Sequence, residues 1–219
     1  MIFMNYRDFL QKVIYRIIDP LIKAMIRLGF TPNLVTTLGF IGNVVATGFF
    51  VYAAYISQNV GQPGDGNIYI GWGGAIILFS GLFDMMDGRL ARVGNMSSEF
   101  GALWDSTLDR YSELLTLFGI CAYLFLNGWF WGGVITFLAM VGSVMVSYVR
   151  ARAEGIGLEC KVGLMQRPER VVVTALVAIA EGFADNVWWL VGGMALIALL
   201  ANFTAFWRIA YCHRQMKGI

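Results

Sequence analysis

Between Arg27 and Asp65 the chain carries no charged side chain, and from Leu34 to Ile56 it is dominated by aliphatic and aromatic residues. Such a run has few solutions. In a bilayer no water is present to satisfy backbone N–H and C=O groups, so the segment must bond them internally as a helix. About 20 apolar residues are enough to cross the hydrocarbon core. The first span is placed at about 34–56. The same pattern predicts a second span from about 68 into an acidic stretch that begins at Asp84. Further spans follow at about 100–126, 130–153, from Arg167 or Val171 to about Glu181, and 187–207. Charged residues make up 14% of the 219 residues and hydrophobic ones 58%, whereas soluble domains are about a quarter charged. The expectation is an all-α polytopic membrane protein with six transmembrane helices. It forms one domain over 1–219, with the bundle at 31–212.

The first 30 residues read differently. Tyr6, Phe9, Leu10, Val13, Ile14 and Ile17 recur at helical spacing, with Arg7, Asp8, Lys12 and Arg16 opposite. A basic amphipathic helix beside a set of spans should lie in the membrane interface. Its internal charges argue against a cleaved signal peptide. Asp19-Pro20 is read as a break before a second amphipathic turn, which leads to Thr31-Pro32-Asn33. Cys121, Cys160 and Cys212 form no Cys-x-x-Cys pair and no even framework, so they are assigned to packing. His213 lies in a basic tail and is expected to be solvated.

Six spans put both termini on one side. All 16 Lys and Arg then fall in the N-terminal segment, the 2–3 and 4–5 loops, the C-terminal tail, or the span ends beside them. The opposite side holds Asp65, Glu181 and Asp185 instead. The positive-inside rule makes the basic side cytoplasmic. The expected location is the cell's inner or plasma membrane, with membrane lipid and no nucleic acid as partner.

On that side lie four aspartates. Asp84 and Asp87 are three apart and Asp105 and Asp109 four apart, so each pair shares a helix face. Antiparallel neighbouring helices would aim both pairs into one cleft, with Glu113 a turn further on. Four clustered carboxylates repel and need protons or a cation, and acids at membrane depth are functional by default. Oxygen ligands without His or Cys favour Mg²⁺ or Mn²⁺, with Ca²⁺ also possible. Four carboxylates are enough for two ions, the arrangement that clamps the attacking and leaving oxygens in phosphoryl displacement. A phosphate-bearing substrate at the membrane surface follows. Gly88 would let a ligand approach the backbone, Ala91 keeps the face low, Gly101 opens the third span, and Arg92 can pair with phosphate.

The order Asp-x-x-Asp-Gly-x-x-Ala-Arg, eight residues, then Gly-x-x-x-Asp-x-x-x-Asp occupies Asp84, Asp87, Gly88, Ala91, Arg92, Gly101, Asp105 and Asp109. This resembles the signature of the CDP-alcohol phosphotransferases, and the six-span layout looks like that family too. The resemblance implies transfer of a phosphatidyl group from CDP-diacylglycerol to an alcohol with release of CMP. It implies metal binding by Asp84, Asp87, Asp105 and Asp109, with Asp109 also the base on the acceptor hydroxyl. It implies contact of the CDP-lipid with Asp84, Gly88, Ala91, Arg92, Ser98, Gly101, Asn33 and Thr36, and a homodimer. "SYVRARAEGIGLE" and "GLMQRPERVVV" further resemble the branch that makes phosphatidylinositol phosphate from inositol phosphate. There the acceptor phosphate is held by residues matching Arg150, Arg170 and, by position, Arg208. Arg152 and Arg167 are further candidates, and Gln166 and Pro168 depart from the branch's pattern. Glycerol 3-phosphate is the alternative acceptor. A prenyltransferase and a cation transporter are the rival classes. Transporter sites lie near mid-bilayer, whereas these acids flank a basic loop.

Overall fold

A computed structural model describes residues 18–59 and 66–218. The amphipathic segment expected over 5–18 therefore lies outside the described residues, save its last position. Helix α1 covers 18–27. It is followed by α2 (Pro32–Asn59), α3 (Asn67–Val93), α4 (Glu99–Leu126), α5 (Phe130–Glu154), α6 (Arg167–Ala184) and α7 (Trp188–Met216). Helices α2 to α7 fall where the six spans were expected, the fifth beginning at Arg167 and the last running on to Met216. By length and composition α2, α3, α5 and α7 are able to cross a membrane. The other two, α4 and α6, carry several charges within them.

Local signals set the helix ends. The Thr31 hydroxyl accepts from Leu34 N–H at 3.3 Å, with Pro32 opening α2, where its missing N–H costs nothing. Ser98 caps α4, accepting from Gly101 N–H at 3.0 Å. Asp19 and Pro20, expected as a break, lie inside α1. The Asp19 carboxylate accepts from Arg89 Nε and Nη2 of α3 at 2.8 and 3.0 Å, and that bond holds it below the usual carboxylate range. Ile22 and Met25 of α1 pack with Val35 near the start of α2 and with Met86 and Leu90 near the end of α3.

Helix α2 is the axis of the site. Both α3 and α4 pack along it and scarcely touch one another, α6 covers α3, and α5 lies against α4 and α7. The acid-bearing helices are therefore not the direct antiparallel neighbours expected from their sequence order. Small residues on α2 draw α3 close to it. A Cβ on Gly39 would stand 3.1 Å from Phe83 Cβ, and one on Gly42 would stand 2.2 Å from Ser80 Oγ. The result is a gap between α3 and α4 at the end where the aspartates lie.

The α3–α6 crossing is closer still. A Cβ on Gly182 would lie 2.4 Å from Gly71 Cα and 2.7 Å from Gly71 N, backbone atoms that no rotamer change can move. Small residues that let backbones meet are the usual contact between membrane helices. Gly182→Ala is expected to destabilise by about 1–3 kcal/mol through overpacking. It should lower the melting temperature of the detergent-solubilised protein. Gly192→Ala on α7, where a Cβ meets nothing within 4 Å, should leave it unchanged or raise it. Equal behaviour of the two variants would remove this crossing from the stability of the bundle.

The three cysteines are free and buried, as expected of packing residues, and burial raises the Cys160 thiol to about 11. His213 is exposed in the last turn of α7.

Candidate active site

Asp87 has a partner of its own, whereas Asp84 and Asp109 share one. Asp87 is 5% exposed and accepts from the Thr36 hydroxyl of α2 at 2.6 Å. Asp84, one turn earlier on α3, and Asp109 on α4 are joined by a third helix. Arg167 Nη2, at the first residue of α6, lies 2.8 Å from Asp84 Oδ2 and 2.7 Å from Asp109 Oδ1. The two oxygens are thus no further apart than those distances laid end to end, and they already share one cationic centre. Asp109 Oδ2 also lies 3.6 Å from Arg110 Nη1.

Two clefts open from this cluster. The smaller, about 180 Å³, lies between the start of α2, the end of α3 and the start of α4. Its lining includes Asn33, Thr36, Asp87, Gly88, Ala91, Arg92, Ser98, Gly101 and Asp105. Every residue that the resemblance assigned to the CDP-lipid is there except Asp84, which lines a separate narrow cavity of about 20 Å³ with Glu113 and Arg167. Gly88 leaves its part of the cleft open, since a Cβ there would meet only the tip of Arg92, at 3.7 Å. Gly101 does the reverse. Its missing Cβ lets α4 approach Asn33, whose Oδ1 would stand 3.2 Å away.

The larger cleft, about 1060 Å³, lies between α4, α5, α6 and α7 and is lined by Asp105, Asp109, Arg110, Arg150, Arg167, Arg170 and Arg208 among others. Asp105 lines both clefts and marks their junction. Of the five arginines predicted to hold an acceptor phosphate, Arg152 is exposed at the end of α5 and outside this lining. Arg150 is half exposed and donates from Nε to Glu154 Oε1 at 2.9 Å. Arg170 is 1% exposed. Its Nε and Nη2 donate to the two oxygens of Glu113 at 2.5 and 2.8 Å, and its Nη1 to Met165 O at 3.0 Å. Arg208 is likewise buried and donates to Val162 O at 2.8 Å and Val146 O at 2.6 Å. Arg170 and Arg208 thus brace the cleft wall with donors largely committed to the protein.

The sequence reading missed two features. Arg110 lines the larger cleft beside Asp109, and its place in the midst of an acidic motif was the available signal. The pairing of Glu113 with Arg170, 57 positions away, left no local sign.

The donor set suits a hard divalent cation. It offers only carboxylate oxygens, and Asp84 and Asp109 converge on one positive group from two helices. With Arg167 in that position, no three acidic side chains among the described residues gather on a single point.

Comparison with known proteins shows the family. The family model for CDP-alcohol phosphatidyltransferase matches residues 30–203, and the chain belongs to that family. It is an enzyme of the phosphatidylinositol-phosphate-synthase-like kind. It is 32% identical to an archaetidylinositol phosphate synthase of Methanothermobacter thermautotrophicus, over 94% of this chain and 93% of that one. Among solved structures it resembles the phosphatidylinositol phosphate synthase of Mycobacterium tuberculosis with CDP-DAG bound. That likeness has a TM-score of 0.77 and 28% identity, and covers 90% of this chain and 94% of that one. The same mycobacterial enzyme in complex with manganese and citrate matches with a TM-score of 0.75 at 28% identity, over 88% of this chain and 87% of that one.

Proposed function

We propose that this enzyme transfers the phosphatidyl group of CDP-diacylglycerol to inositol phosphate, giving phosphatidylinositol phosphate and CMP. The observation that carries the reading is the pair of clefts meeting at Asp105, one opening on Gly88 and Arg92, the other on a basic wall. The names of the relatives support inositol phosphate as the acceptor.

The cytidine diphosphate occupies the smaller cleft, where Gly88 leaves room against the backbone, Arg92 supplies a charge for phosphate, and Asn33, Thr36, Ala91, Ser98 and Gly101 form the walls. The acceptor occupies the larger cleft. Its phosphate is met by Arg150 and Arg167, with Arg208 adding fixed positive charge from the wall. Asp109, facing that cleft, takes the proton of the acceptor hydroxyl. The hydroxyl oxygen then forms its bond to the lipid-side phosphorus as the P–O bond to CMP breaks. Asp84, Asp87, Asp105 and Asp109 would hold Mg²⁺, two ions by the number of carboxylates, with Mn²⁺ able to substitute. Bound there, a divalent ion would supply positive charge against the pyrophosphate oxygens. Thr36 orients the Asp87 carboxylate through its 2.6 Å bond.

All six long helices span the bilayer in this reading. The two with the most charge along their length pack against other helices, α4 against α2 and α5, and α6 against α3 and α7. The distribution of Lys and Arg supports an active site on the cytoplasmic side of the plasma membrane. The family resemblance supports a homodimer, with residues 1–219 acting as one domain.

The test is radiolabelled CDP-diacylglycerol in nanodiscs, offered in parallel with inositol phosphate, glycerol 3-phosphate, serine and free inositol. Metal-dependent CMP release with inositol phosphate at well above the rate for the other three is the expected result. Preference for glycerol 3-phosphate would overturn the acceptor assignment, and absence of CMP release with all four would overturn the reaction.

A further inference from the structure

We infer that Arg167 is an internal counter-cation of the aspartate cluster, which a divalent ion must displace and which an anion in the larger cleft draws away. The inference rests on the metal assignment proposed above. The positive centre between Asp84 Oδ2 and Asp109 Oδ1 is Arg167 Nη2, at 2.8 and 2.7 Å. A cation shared by those two carboxylates would need the same place, and guanidinium and ion exclude one another sterically and electrostatically.

The way Arg167 is held marks it as the group that yields. Only one of its nitrogens makes these contacts, while its buried Nε has no hydrogen-bond partner. Arg170, one helical turn on, shows the opposite arrangement. There Nε and Nη2 form a two-point fork on Glu113 and Nη1 is anchored to a carbonyl, the geometry that makes arginine–carboxylate pairs strong. Arg167 stands at the first residue of α6, just after the 155–166 connection, and its side chain lines both the narrow cavity beside Asp84 and the larger cleft. A side-chain rotation moves the guanidinium from the acids to the cleft without moving a helix.

Linkage follows. If a divalent ion frees Arg167 to face the cleft, an anion that engages Arg167 in the cleft must raise the ion's affinity by the same factor. In the empty enzyme Arg167 limits the repulsion among the acids. In the loaded enzyme the same charge serves the acceptor side. Metal loading and acceptor binding thereby favour each other.

Mn²⁺ binding, followed by electron paramagnetic resonance on the full-length protein in nanodiscs without CDP-lipid, tests this directly. R167Q is expected to bind Mn²⁺ about tenfold more tightly than wild type, within the usual range of coupling between sites. Sulfate, an anion that chelates Mn²⁺ weakly, is expected to tighten Mn²⁺ binding several-fold in wild type and not in R167Q. An arginine with a merely structural role predicts the opposite sign, since its loss loosens the cluster. Unchanged or weaker Mn²⁺ binding by R167Q overturns the inference while leaving the metal site standing. If R167Q is not monodisperse, the sulfate effect on wild type decides alone, and its absence overturns the inference. Failure of both proteins to bind Mn²⁺ would overturn the metal assignment as well.

Discussion

Asp109→Asn is expected to reduce turnover by about 10²–10⁴-fold, the usual contribution of a positioned base, with little change in melting temperature. Asparagine is the same size. Asp84 still lies 2.8 Å from Arg167 Nη2, so the link between α3 and α6 persists. What is lost is the ability to take a proton. The rate of CMP release measures the effect, and Mn²⁺ binding to the same variant separates its two assigned roles. Slow turnover with Mn²⁺ still bound assigns the loss to the base, and slow turnover with weak Mn²⁺ binding assigns it to the metal site. Turnover like that of wild type would remove both assignments from Asp109.

Glu113→Gln should act through stability. Glu113 is 7% exposed and Arg170 1%, so the substitution leaves a guanidinium in the bundle without its counter-charge. Breaking a buried pair from one side costs about 3–5 kcal/mol. A large drop in melting temperature is expected, with loss of activity following from loss of fold. Glu113→Leu combined with Arg170→Met removes both charges and should recover much of that stability, because replacing a buried pair with apolar groups is often close to neutral. If the double variant were as unstable as the single one, the charge explanation would be wrong and Arg170 would matter through its bond to Met165. The same geometry alters how Arg170 is understood. It was predicted from the sequence as a phosphate ligand, yet its nitrogens already serve Glu113 and a carbonyl. In the structure its first role is to brace α6 against α4, which sets the wall of the larger cleft.

The two predictions separate what an acid does when it faces a cleft from what it does when it faces a partner. Asp109 and Glu113 are one helical turn apart on α4, and nothing in their residue type distinguishes them. Position relative to α6 does. Asp109 meets Arg167, which also lines the larger cleft, and Glu113 meets Arg170, which is locked.

Much of this was legible before any coordinates. Hydropathy placed the six long helices closely, because a span must be helical and must be long enough, and both requirements are local. The three- and four-residue spacings of the aspartates put each pair on one face for the same reason. The smaller cleft was also anticipated, since Asn33, Thr36, Gly88, Ala91, Arg92, Ser98 and Gly101 all line it. The arginine assignments were less secure. Arg152 lies outside the lining of the larger cleft, while Arg110, not singled out, belongs to it. That α3 and α4 both pack on α2 and leave a gap, that Arg167 joins Asp84 to Asp109, and that Glu113 neutralises Arg170 from 57 positions away all depend on how far each helix slides along its neighbours. A slide of one turn is about 5.4 Å, enough to exchange every one of these partners while leaving the hydropathy pattern untouched. Periodicity assigns a residue to a face of its own helix; the contact between two faces is decided by side-chain packing across the whole bundle.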